Sequence, residues 1–213
     1  MAAQSMAVGL AGLEALNFST TLWLFVAAFV LHEVEEWNIT AFERRNFVDL
    51  PVTFTEANGR AWLIFVCVIA VTWCAVATLP GNPKLAAFVV LPAVALAMAN
   101  ALQHVFWTIY FRQYAPGVVT AVLLLLPLGV LAFIIATHRQ LVPLWYVLGL
   151  AMPVAMVVGH TVWNGRRPTA PMLGIYALGG RISRLIGRAQ VPIRRRSRLQ
   201  AEVRAVRRSA RQR

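Results

Sequence analysis

Five apolar stretches dominate this chain, at about residues 16–37, 60–79, 84–111, 117–137 and 141–163. Each approaches or exceeds the ~20 helical residues that cross the hydrocarbon core of a bilayer. Inside lipid, backbone N–H and C=O groups have no water to bond and must be paired within the segment. The chain therefore reads as all-α, a polytopic transmembrane bundle of about five spans. Its composition agrees, with 59% hydrophobic and only 13% charged residues, where soluble domains carry about 25% charged. Residues 1–165 make up the bundle in this reading, and residues 166–213 a separate basic tail.

The breaks between spans carry turn signals. Leu79-Pro80-Gly81-Asn82-Pro83 separates the second span from the third, and Tyr114-Ala115-Pro116-Gly117 the third from the fourth, with Pro116 suited to opening a helix. Pro92 is expected to kink span three. Residues 38–59 are polar enough to form a connector lying at the membrane interface. No Lys or Arg precedes Arg44, so the basic leader of a cleaved signal peptide is missing and the first run is expected to stay as a helix. Cys67 and Cys74 share one helical face of an apolar run and read as buried reduced thiols.

The net charge of +12 is unevenly placed. Residues 166–213 hold fourteen arginines against the single acid Glu202, whereas residues 1–165 hold six basic and seven acidic residues. With the tail in the cytoplasm, five spans put the N-terminus outside. Arg44, Arg45, Arg60 and Arg112 then also fall inside, leaving Lys84 and Arg139 outside, as the positive-inside rule expects. In the tail, Arg181, Arg184 and Arg188 lie opposite Ile182, Leu185 and Ile186 on a short basic amphipathic helix. Such a segment next to a span contacts anionic lipid. Nucleic acid is not expected as a partner, because no RNA-binding motif accompanies the charge.

Polar chemistry inside the spans is sparse. Span one ends on Leu31-His32-Glu33-Val34-Glu35-Glu36-Trp37, where His32, Glu35 and Glu36 share a helical face and Glu33 points about a hundred degrees away. Carboxylates at a helix C-terminus oppose the macrodipole, so a bound cation would account for them. Asn100 and His104 are i, i+4 neighbours late in span three, as are His160 and Asn164 late in span five. Spans one, three and five run in the same direction, and His32, His104 and His160 all fall roughly 8–12 Å from the same helix end. Ionisable groups in a membrane are costly and face the bundle interior, so common depth predicts one shared site. His138, at the other end of span four, is excluded. Three imidazoles with two carboxylates suit Zn²⁺, Fe²⁺ or Mn²⁺.

The series His32-x-x-Glu35-Glu36, Asn100-x-x-x-His104, Tyr114-Ala115-Pro116-Gly117-Val118-Val119-Thr120 and a late His160 resembles the HXXEE family of small integral membrane proteins. The resemblance covers about residues 16–165. It implies a metal-chelating site of His32, Glu35, Glu36, His104 and His160 with Asn100 as helper, and it supplies neither reaction nor substrate. A weaker similarity joins the paired glutamates, His104 and His160-x-x-x-Asn164 to CAAX-type prenyl endopeptidases. In that pattern a glutamate and a histidine activate water, and His160 with Asn164 would stabilise an oxyanion. Thr40 stands where that pattern has arginine, and Asn100 where it has phenylalanine.

The expected function is a metal-dependent membrane enzyme, a hydrolase as first choice, with its site near the cytoplasmic leaflet. His32, Glu36, His104 and His160 are the expected ligands, and Glu35 the base, with Asn100 and Asn164 assisting. The substrate would be a lipid or lipidated peptide entering from the bilayer. The rival readings are a CAAX-protease-like endopeptidase, a metal or ion transporter, and a scaffold whose working part is the basic tail.

Overall fold

Apolar runs do not by themselves set where a helix starts, and here polar caps do. The computed structural model describes residues 17–185. Helix α1 (Phe18–Glu35) begins where the Asn17 side chain accepts from the Ser19 amide. It passes through a 3₁₀ turn (Glu36–Asn38) into α2 (Ile39–Asn46). Thr55 caps α3 (Glu56–Thr78), and Asn82 accepts from the Lys84 and Leu85 amides to start α4 (Pro83–Phe111). Each cap satisfies amides that have no intrahelical partner. The next span joins α5 (Val118–Thr120), a π turn (Ala121–Leu125) and α6 (Leu126–His138). Helix α7 is Leu144–Asn164, and α8 runs from 170 to 185, where the described residues end. No strand occurs among the described residues. Five helical stretches are long and apolar enough to cross a membrane, at Phe18–Asn46, Glu56–Thr78, Pro83–Phe111, Val118–His138 and Leu144–Asn164. The chain is a polytopic helical bundle.

Helix α4 is the central element. Its buried face is rich in alanine, including Ala86, Ala87, Ala95, Ala99 and Ala101, and small residues let helices approach closely within a membrane. It packs against α1, α3, α6 and α7, while α1 also packs against α3 and α6. Pro92 does not interrupt α4. A proline lacks the N–H that would bond the carbonyl four residues earlier, and that carbonyl, Phe88 O, instead accepts from the Tyr146 hydroxyl at 2.5 Å. Gly117 takes φ 98° as N-cap of α5, so that helix begins two residues after Pro116.

Two expectations from the sequence change. Residues 38–59 are not simply a surface connector, since Ile39, Phe42, Phe47 and Phe54 are buried in a second apolar cluster with Trp107, Ala115, Met172 and Tyr176. Their polar neighbours are satisfied internally. The Arg44 guanidinium donates to Phe54 O, and the Tyr176 hydroxyl is shared between Thr40 and Glu43. Residues from 166 onward also begin inside the fold. The Arg166 side chain donates to Asn46 O and its own carbonyl accepts from the Val48 amide. Tyr176 stacks on Phe54 with ring centroids 3.8 Å apart. The Arg-rich stretch beyond 185, including Arg188, lies outside the described residues. Cys67 and Cys74 are free thiols, as expected, but only Cys74 is buried and Cys67 is partly exposed.

Helix α8 meets α3 through glycine. A Cβ at Gly179 would overlap the Asn58 carbonyl, which is backbone and cannot yield, whereas a Cβ at Gly174 on the same helix meets nothing within 4 Å. Gly179→Ala should therefore lower stability by about 1–3 kcal/mol through overpacking. Gly174→Ala should be neutral, or stabilising by up to about 1 kcal/mol through helix propensity. Thermal unfolding of the two variants in detergent separates them, and equal midpoints would mean that α8 is not docked there.

Candidate metal centre

The two apolar clusters of the bundle meet at a buried polar seam. Along α1 and its continuation the order is Phe29, His32, Glu36, Ile39, and along α4 it is Ala101, His104, Trp107. His32 and His104 are 0% and 1% exposed, and Glu36 is 7% exposed. Glu36 Oε1 lies 2.8 Å from His32 Nε2 and 2.7 Å from His104 Nε2. The two rings stand at 90° with centroids 5.0 Å apart. One donor atom from each residue falls within 4.8 Å of the others.

Hydrogen bonding orients the His32 ring. The Thr120 hydroxyl donates to Glu35 Oε2 at 2.5 Å and lies 3.0 Å from His32 Nδ1. With its one proton given to the carboxylate, Thr120 must accept from Nδ1–H. With Nδ1 so engaged, Nε2 is the ring nitrogen that faces Glu36 Oε1. Two acceptors 2.8 Å apart repel unless a cation or proton lies between them. Asn100 Nδ2 relieves part of this, donating to Glu36 Oε1 at 3.1 Å and lying 3.2 Å from His32 Nε2. His104 Nε2 approaches Glu36 closely, but without the alignment of an N–H···O bond, and neither of its ring nitrogens has a hydrogen-bond partner among the described residues. Unpaired buried nitrogens are costly. Two imidazole nitrogens and a carboxylate oxygen match the donor set of a divalent transition metal, and this geometry fits one.

Glu35, although adjacent to Glu36, takes a different part. Its carboxylate accepts from the Tyr114 hydroxyl at 2.6 Å, the Val119 and Thr120 amides, and the Thr120 hydroxyl. It anchors the start of the fourth span and, through Thr120, holds the His32 ring. Metal-bound histidines commonly have their second nitrogen held by such an outer partner. Burial and the bond to Glu35 push Tyr114 up to about 12, so it stays a neutral donor. Burial raises Tyr176 as well, reinforced by Glu43.

Other sequence-predicted residues are placed elsewhere. Asn100 is at the cluster, but His160 is exposed on α7. Its neighbour Thr161 is the buried residue there, accepting from Gln103 Nε2 at 2.5 Å. Adjacent helical residues diverge by about a hundred degrees, so His160 turns away although its depth is shared. Asn164 Nδ2 donates to His160 O, and the pair forms no oxyanion site beside the cluster. His138 is exposed at the end of α6 as expected. Glu33 stays outside the donor group, as expected, but it is 5% exposed and lines a cavity that Glu36 and His104 also border, with α3 packed against α1. Thr120, Tyr114 and Gly117 had no role assigned from sequence. Their only signal was membership of the Tyr114–Thr120 stretch.

The family described as "Protein of unknown function with HXXEE motif" matches residues 23–132, a span that takes in all three donors, Asn100 and Thr120. No curated protein and no solved structure matches the chain significantly.

Gly117 sits directly over the cluster. A Cβ there would lie 2.8 Å from His32 Cε1, 3.0 Å from Glu36 Cγ and 3.1 Å from His104 Nδ1. Gly81 also has positive φ, but open space around it. Gly81→Ala should cost about 1–2 kcal/mol for the left-handed backbone alone. Gly117→Ala should cost that plus a further ~1–3 kcal/mol of overpacking. Denaturation midpoints of the two variants measure the difference, and equal costs would show that the cluster is not closed by Gly117.

Proposed function

This chain belongs to the HXXEE family, and on that premise we propose that it is a metal-dependent membrane enzyme with His32, Glu36 and His104 as ligands. The observation that carries the reading is the convergence of two buried imidazole nitrogens on one carboxylate oxygen at 2.7 and 2.8 Å. Zn²⁺, Fe²⁺ and Mn²⁺ all accept this donor set. Three protein ligands are fewer than a closed structural zinc site uses and leave a coordination position open. A divalent ion bound there supplies Lewis acidity to water or to a substrate carbonyl, and hydrolysis is the reaction that follows most directly.

The chain's own residues divide the remaining work. Asn100 donates at the edge of the donor set and can orient a substrate oxygen. Glu35 acts as a positioning residue rather than a base, since its oxygens are already taken by four donors. Thr120 transmits that positioning to His32. The positive-inside distribution of arginines puts this end of the bundle at the cytoplasmic leaflet, with the basic C-terminal stretch against anionic headgroups.

Metal analysis of the purified full chain, supplied in turn with zinc, iron and manganese, tests the proposal. The wild type should hold a stoichiometric transition metal, and His104→Ala should hold none. Thr120→Val and Glu35→Gln should bind about 10–100-fold more weakly, the usual cost of losing an outer-shell partner. His160→Ala should bind like the wild type. A wild type that takes up no metal, or a His160→Ala protein that loses it, would sink the assignment.

A further inference from the structure

A cavity of about 610 Å³ runs between α1, α3 and α4 and under α8, within the ~300–1,000 Å³ typical of small-molecule sites. Its lining changes along its length. Phe25, Val26, Ala70, Val90 and Val94 make one part wholly apolar. Ile69, Trp73 and Leu96 line it and are also 46%, 50% and 57% exposed on the outer face of the bundle. The cavity thus has an apolar mouth on the side where lipid would lie. The other part holds Glu33, Glu36, Glu43, Asn100, His104 and Tyr176.

Glu33 is the unexplained member. Glu43 receives a hydrogen bond from Tyr176, and Glu36 is held by Asn100 beside the imidazoles. Glu33 is 5% exposed, faces the cavity, and has neither a hydrogen bond nor an ion pair among the described residues. A buried carboxylate costs several kcal/mol unless something donates to it. No lysine or arginine among the described residues lines the cavity, so the donor that Glu33 lacks has to come from whatever occupies the cavity.

We propose that this cavity binds a single-chain lipid whose head carries hydroxyl or amine donors, with the chain among the apolar side chains and the head bonded to Glu33. The reading deepens the proposed function and rests on it for what happens next, since Glu36 and His104 border the same polar end. A long-chain alcohol or amine fits this surface. A methyl ether of the same chain length does not, because it brings no donor and leaves Glu33 without a partner.

The probe is a long-chain alcohol carrying a photoactivatable group on its alkyl chain, added to full-length protein in nanodiscs of neutral phospholipid. Labelling should map to cavity residues of α3 and α4 and be displaced by an unlabelled long-chain amine or alcohol, but not by the matching methyl ether. Glu33→Ala should weaken binding about tenfold or more, as expected for loss of a hydrogen bond to a charged group. Ala70→Trp, which fills the apolar part, should abolish it. Competition by the methyl ether as strong as that by the alcohol would overturn the proposal. So would labelling confined to outward positions such as Val68 and Val76, or unchanged binding in Glu33→Ala. Metal content measured on the same preparations keeps the two readings apart. Cavity labelling without bound metal defeats the metal centre alone, and bound metal without cavity labelling defeats the lipid site alone.

Discussion

The bundle is arranged around the need to satisfy polar groups where no water reaches. His32, Glu36 and His104 are almost wholly buried, and they meet at a single carboxylate oxygen. Leaving such groups unpaired in a low-dielectric interior costs several kcal/mol each. Every element near them supplies a part of the answer. Helix α4 brings Asn100, the first turn of the fourth span brings Thr120, and Gly117 gives up its side chain so that the turn before that span can close over both rings. The apolar clusters on either side exclude solvent and give the seam its stiffness.

The adjacent glutamates show how one helix turn can divide labour. Glu36 begins the 3₁₀ turn and points between the imidazoles, while Glu35 ends α1 and reaches the amides and hydroxyls that start the next span. An anion at exposed helix-start amides is favourable, and this one ties two distant segments together. The same bond orients the Thr120 hydroxyl, which holds the His32 ring at Nδ1. Chemistry at His32 Nε2 therefore depends on a carboxylate that never touches it.

A similar economy governs the cavity. The C-terminal helix closes it by placing Met172 and Tyr176 against Phe54 and Glu43, and Gly179 permits the contact with α3. Residues that read as connector and tail thus become the floor of the chamber. Helix α7 contributes little to it, since Thr161 is its one buried residue and its other faces are at least partly exposed.

Much of this was legible in the sequence. Hydropathy located five apolar spans, the last four to within a few residues, while the first helical stretch runs on to Asn46 rather than ending near Trp37. The Leu79–Pro83 turn was visible as such, and helical phase put His32 and Glu36 on one face. Depth along the spans correctly paired His32 with His104. What one chain of letters could not supply was the rotation of each helix about its own axis relative to its neighbours. Depth comes from counting residues along a helix, but rotation comes from which side chains interlock across helices. That is why His160 shares the right level and faces outward, why Glu33 faces a cavity, and why Glu35 bonds a loop more than eighty residues away. Local periodicity is a property of the sequence, whereas the facing of one helix toward another is decided only when all of them pack.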